Sequence, residues 1–211
     1  MFISILYLII FGGIGFFIYK KYFAGFNSTA LRYFSGLLSD AKYDEYIKSY
    51  VDSMNLRRTA LSKFDLDESE LNELPPVCLS DYYFDEKDSL IAVKKGKDRK
   101  DRSSAYQVSW LFFSSEQVCI YQYTLNFNTN GEKKTSQQYY WKDIVNFTTL
   151  DETKTVYEQN KGQMPKAKTV NIKLFSLVVP GDKLNCAMPS DDSLDKAILE
   201  MKAKLREKKS A

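Results

Sequence analysis

Met1 to Tyr19, MFISILYLIIFGGIGFFIY, contains no charged side chain. This run constrains the chain more than any other feature. About 20 apolar residues in a helix, at ~1.5 Å rise each, cross a hydrocarbon core ~30 Å thick. A secretory leader would need a basic segment before the apolar run, and here only the terminal amine precedes Phe2. It would also need small residues at a cleavage site, where this chain has Tyr19-Lys20-Lys21-Tyr22-Phe23. A core helix is rarely apolar on all sides. The expectation is therefore a transmembrane helix retained as an anchor over residues 1–24. Lys20 and Lys21 follow the run directly, so the positive-inside rule leaves the C-terminal bulk in the cytoplasm. That predicts a single-pass protein of the cell membrane with a cytoplasmic C-terminal domain. Gly12, Gly13 and Gly15 would permit close helix approach within the bilayer.

The rest of the chain has the composition of a folded protein. Of 211 residues, 27% are charged, and the formal net charge of +3 argues against nucleic-acid binding driven by bulk charge. The chain has no histidine. Histidine acid–base catalysis, His-activated nucleophiles and His-containing metal sites are thereby excluded. Cys78, Cys119 and Cys186 lie far apart, without a CxxC pair. Their odd number fits buried free thiols in a reducing compartment better than a disulfide framework. No metal, cofactor or catalytic residues are expected, and the chain reads as a non-enzyme.

From Asn27 to Leu74 the sequence has no proline and is helical in pattern. Asn27, Ser28 and Thr29 offer a cap before Leu31, Phe34, Leu37 and Leu38, and Ser39-Asp40 offers a second. Tyr43, Tyr46, Ile47, Tyr50, Val51 and Met54 then recur at helical spacing, and Leu56, Ala60, Leu61 and Phe64 continue after a break. Asp67 and Glu70 suggest a capped short turn before Pro75-Pro76. Residues 25–76 are thus expected to form a helical stalk whose tyrosine-rich stripe packs on the following domain.

After Pro76 the pattern becomes that of strands, rich in β-branched and aromatic residues. They are expected at 79–84, 89–94, 105–113, 117–125, 133–141, 144–150, 153–159, 169–178 and 183–187. Asp85–Asp88 and Asn128–Gly131 read as hairpin loops, and Lys161-Gly162 as a polar connection. Val108, Trp110 and Phe112 fall on one side, and Tyr121, Tyr123 and Leu125 on another. A final helix from Asp192 to about Lys208 carries Leu194, Ala197, Ile198, Met201 and Leu205 as one apolar stripe.

Antiparallel strands followed by one amphipathic helix resemble the pleckstrin-homology-like (PH-like) plan, in which a C-terminal helix closes a bent sheet. QQYYWKDIVNFTTL is similar to the aromatic-Lys-Asp-Ile stretch of bacterial PH-like and GRAM-type domains. The resemblance covers residues 79–208 and implies, for 77–211, an α+β domain: an antiparallel β-sandwich or barrel of PH-like type. It also implies a site. KKGKDRKDR places Lys94, Lys95, Lys97, Arg99, Lys100 and Arg102 against Asp98 and Asp101. In the resemblance such a basic loop is where phosphoinositide-binding members hold the headgroup, so these six residues are the expected site for anionic lipid headgroups or a protein partner. The expected function is a membrane-anchored cytoplasmic docking or interaction module. The alternative is a structural subunit of a secretion- or division-type membrane assembly that makes its main contact through the transmembrane helix. A periplasmic or secreted β-rich protein with an uncleaved anchor is a third reading.

Overall fold

The computed structural model describes residues 28–84, 91–158 and 166–210. The expected membrane helix, the loop at 85–88 and the connection at Lys161-Gly162 lie outside them. No helix among the described residues is long and apolar enough to cross a membrane.

The fold is α+β, with antiparallel sheets and a C-terminal helix. Three helices open the described chain: α1 (Ser28–Phe34), α2 (Asp40–Ser53) and α3 (Leu56–Phe64). Gly36, at φ +86°, ends the turn after α1, and Asn55, at φ 47°, breaks the chain between α2 and α3. Nine strands follow among the described residues. They are β1 (Val77–Tyr83), β2 (Val93–Lys95), β3 (Asp101–Ser103), β4 (Ala105–Phe113), β5 (Gln117–Asn126), β6 (Gly131–Tyr140), β7 (Asn146–Glu158), β8 (Lys166–Val179) and β9 (Asp182–Ala187). The last helix, α4, spans Asp192–Ser210. Strands β1-β4-β5-β6 form one sheet and β7-β8-β9 another, while β2 and β3 pair only with each other.

Two differences from the sequence pattern have simple causes. Asp151-Glu152 looks like a break, yet β7 runs through it, because Asp151 pairs with Lys173 and both carboxylates face solvent. Strand β3 lies inside the charged run and has no apolar alternation to reveal it. It forms because Lys94 and Lys95 pair in register with Arg102 and Asp101.

Strands β1, β4 and β5 of the four-stranded sheet pack on both faces, while the edge strand β6 has no buried residue. On one face Leu79, Leu111, Phe113, Val118 and Ile120 meet Phe147, Phe175 and Leu177 of the second sheet, and Ile198, Met201 and Leu205 of α4 close the cluster. Such burial stabilises at roughly 25 cal/mol per Å² of apolar surface. Trp141 is buried here, donating its Nε1–H to Ser114 O at 2.9 Å. On the other face Val108, Phe112, Tyr121, Tyr123 and Leu125 meet Tyr33, Tyr43, Ile47 and Ala60 of the helices. Trp110, partly buried, joins them. The strand sides expected to differ therefore share one face, because Trp110 pairs with Tyr121 and Val108 with Tyr123.

The segment read as a stalk lies as a layer across this face, tyrosine stripe inward. Tyr33 and Tyr43 stack at 4.1 Å, and the Tyr43 hydroxyl donates to Ser103 O at 3.2 Å. Lys204 and Lys208 of α4 both reach Glu73, at 2.9 and 2.7 Å, and tie the closing helix to the segment that leads from α3 into β1. A polar band joins the two sheets. Gln107 Oε1 accepts the Ala187 N–H at 2.8 Å, and Gln122 Nε2 donates to Asn185 O at 2.8 Å. Buried amides paired in this way fix the mutual register of the sheets, because an unpaired one would be costly.

Candidate functional site: a base-rich hairpin and the cleft beside it

The charged run forms the β2–β3 hairpin. Gly96 N–H donates to Lys100 O at 2.8 Å, and Arg99 N–H donates to Gly96 O at 3.1 Å across the turn. Arg99 takes a left-handed conformation, φ 67°. Phe84, Ile91, Val93, Ala105, Val156 and Val170 form an apolar cluster at the hairpin's base.

The six bases expected to act together do not. Arg102 is 3% exposed and belongs to the interior. Its Nε and Nη2 donate to the two Asp44 oxygens at 2.7 Å each. Its Nη1 and Nη2 donate to Asp98 at 2.9 and 2.8 Å. A planar guanidinium suits this paired fork, whereas an ammonium would not. The hydrogen bonds from Arg102 hold the Asp98 carboxyl well below the usual carboxylate range. Lys94 is also withdrawn. Its Nζ donates to Tyr33 O at 2.8 Å and sits 4.3 Å from the centre of the Tyr33 ring. The remaining four, Lys95, Lys97, Arg99 and Lys100, are exposed. No carboxylate lies within salt-bridge distance of their side chains among the described residues.

Two acids of α2 brace the hairpin: Asp44, which shares Arg102 with Asp98, and Asp40. Asp40 accepts the Lys97 backbone N–H at 2.8 Å and the Tyr33 hydroxyl at 2.9 Å. The first of these bonds, and then the second, lowers its carboxyl from the ordinary value against an opposing effect of burial. Asp44 also accepts the Tyr82 hydroxyl at 2.6 Å. Nothing in the sequence joins Asp40 and Asp44 to the run, because more than fifty positions separate them from it. Asp98 reads in sequence as diluting the positive charge, yet it supports the hairpin from within.

A cleft of about 480 Å³ opens beside the hairpin. Lys48, Lys95, Arg99 and Lys100 line it, with Asp81 and Tyr106 among its other walls. Lys48 is exposed, and no acidic partner is found for it among the described residues. It escaped sequence reasoning because it lies on α2, outside the run. Three half-buried acids, Asp44, Asp81 and Asp101, also line the cleft. Burial pushes the Asp81 carboxyl up to about 6, against a backbone hydrogen bond from Tyr82 N–H and the charge of Lys100. On the hairpin's other side lies a shallow depression of about 620 Å³, lined by Leu37, Leu38, Lys95 and Lys97 among others. The hairpin thus divides its free bases: Arg99 and Lys100 face the cleft, Lys97 the depression, and Lys95 both.

Burial raises all three cysteine thiols, Cys78 and Cys186 to about 11, which keeps them protonated and poorly nucleophilic. Among the described residues no group of three or more His, Cys, Asp or Glu is placed to hold a metal ion. Compared with protein families, with curated proteins and with solved structures, the chain matches none.

Proposed function

We propose that the chain is a single-pass membrane protein that displays a PH-like docking domain at the cytoplasmic face. Its cleft takes an acidic segment of a protein partner, without catalysis, cofactor or nucleic acid. What supports this reading is the convergence of Lys48, Lys95, Arg99 and Lys100 on one cleft, none of them within salt-bridge distance of a carboxylate among the described residues. Arg102, by contrast, holds the hairpin rigid from below. Rigid presentation lowers the entropic cost of binding, and the surplus charge favours an acidic partner. The PH-like part of the reading rests on strand order. With the β2–β3 hairpin set aside, a four-stranded meander precedes a three-stranded meander and a helix. The tether rests on the charge-free run 1–19 followed by Lys20 and Lys21.

The test uses the full chain in lipid nanodiscs and a fluorescent Glu-rich peptide, read by anisotropy. Changing Lys95, Arg99 and Lys100 together to Glu should weaken binding by at least about tenfold, and added salt should weaken the parent. Equal binding by parent and variant would remove the cleft from the reading. Alkaline carbonate should leave the chain in the membrane fraction, and its release would remove the tether.

A further inference from the structure

We infer that the α1 end of the domain lies on the anionic membrane that holds the tether, with Leu37 seated among the headgroups and Lys95 and Lys97 against lipid phosphates. This rests on the tethered reading above.

The first support is the placement of Leu37. It is 73% exposed, more than any other large hydrophobic side chain among the described residues. Its backbone is nonetheless fixed. Leu37 N–H donates to Arg32 O at 2.8 Å and Gly36 N–H to Tyr33 O at 3.0 Å, around Gly36 at φ +86°. This is the pattern of a Schellman cap, in which a hydrophobic residue at this position usually folds back onto its helix. Leu37 points outward instead. Leu31 of α1 is exposed as well.

The second is charge. Lys95 and Lys97 line the same depression as Leu37. The acidic groups there are already engaged: Asp40 by Tyr33 and the Lys97 backbone, Asp44 and Asp98 by Arg102. What remains outward is an apolar tip beside cations, the composition of a surface that settles at a lipid interface.

The third is reach. Eight residues separate Tyr19 from Ser28. Even fully extended they span no more than about 30 Å. The seven residues of α1 add about 10 Å. The α1 end of the domain is therefore confined to the neighbourhood of the bilayer by chain length alone.

The test places a tryptophan at Leu37 in the full chain, reconstituted into vesicles whose lipids carry brominated acyl chains. Leu199→Trp is the control, since Leu199 is 62% exposed on α4, across the four-stranded sheet from the helical layer. Trp110 and Trp141 provide a constant background, measured in the parent. In vesicles rich in phosphatidylglycerol, Leu37→Trp should gain quenching over the parent by about twofold or more, and Leu199→Trp should gain none. Adding Lys95→Glu and Lys97→Glu should reduce that gain, as should replacing phosphatidylglycerol by phosphatidylcholine. If Leu37→Trp is quenched no more than Leu199→Trp while the chain survives an alkaline wash, the tether stands and the docked face is overturned. A blue-shifted but unquenched Leu37→Trp that depends on protein density marks a second copy on this face, and overturns it equally. Loss of the chain from the vesicles on washing overturns the tethered reading and this inference together.

Discussion

Removal of the Arg102 guanidinium is the sharpest test of how the hairpin is held. The group is 3% exposed, and its four N–H···O contacts run from 2.7 to 2.9 Å. Breaking a buried ion pair typically costs ~3–5 kcal/mol, chiefly because the remaining charge is stranded. Here the remaining carboxylates are not stranded, since the side chains of Asp44 and Asp98 are 44% and 41% exposed. Arg102→Ala should therefore cost ~2–3 kcal/mol, the lower part of that range or just below it. For a chain of this size that lowers Tm by about 5–10 °C. Arg102→Lys keeps a charge but loses the fork, and should fall between the two. Thermal unfolding of the full chain in detergent, followed by circular dichroism, gives the numbers. Hydrogen exchange should quicken at the hairpin and at α2 around Asp44. The acid side adds a second check. Asp98 has its folded-state pKa depressed, so its contribution is present above the unfolded value of ~3.9 and is lost as pH falls below it. The parent should lose stability below about pH 4 more steeply than Arg102→Ala, which lacks this linkage. A Tm within about 1 °C of the parent, with unchanged exchange at α2, would refute the claim that Arg102 holds the hairpin.

Three further outcomes follow from the same geometry. A Cβ on Gly96 would collide with Arg102 Nη1, Asp98 Oδ1 and Asp40 Oδ2, so Gly96→Ala should cost ~1–3 kcal/mol by overpacking. An unchanged denaturation midpoint would count against that crowding. The Asp81 carboxyl is raised in the fold, so its ionisation costs stability increasingly as pH rises from ~3.9 to about 6. Asp81→Asn should thus raise Tm at pH 7, by up to ~3 kcal/mol in stability, with no gain near pH 4. Peptide binding by the parent, but not by this variant, should weaken as pH rises through 6, and anisotropy from pH 5 to 7 checks this. Ile198→Ala empties a buried site between α4 and the sheets, and should cost ~2–5 kcal/mol in urea unfolding of the full chain. A cost below ~0.5 kcal/mol would mean that α4 does not close the core.

Local periodicity determined much of this protein without help from its tertiary structure. Strand β4 was legible at both ends because Val108, Trp110 and Phe112 alternate with residues of the other face. The stripe of Ile198, Met201 and Leu205 marked α4, and those side chains are its buried ones. The break at Asn55 and the paired caps of Asp67 and Glu70 were readable too, since each is an arrangement of near neighbours. The site was another matter. Six bases in a row look alike in sequence, and only the fold separates Arg102 and Lys94, turned inward, from the four that reach solvent. The helices' position across the sheet brings Asp40 and Asp44 beneath the hairpin and Lys48 to the cleft rim. The availability of a charge depends on which opposite charges and how much water surround it. Those neighbours come from distant parts of the chain, so hydrophobic periodicity, a local signal, carries no trace of them.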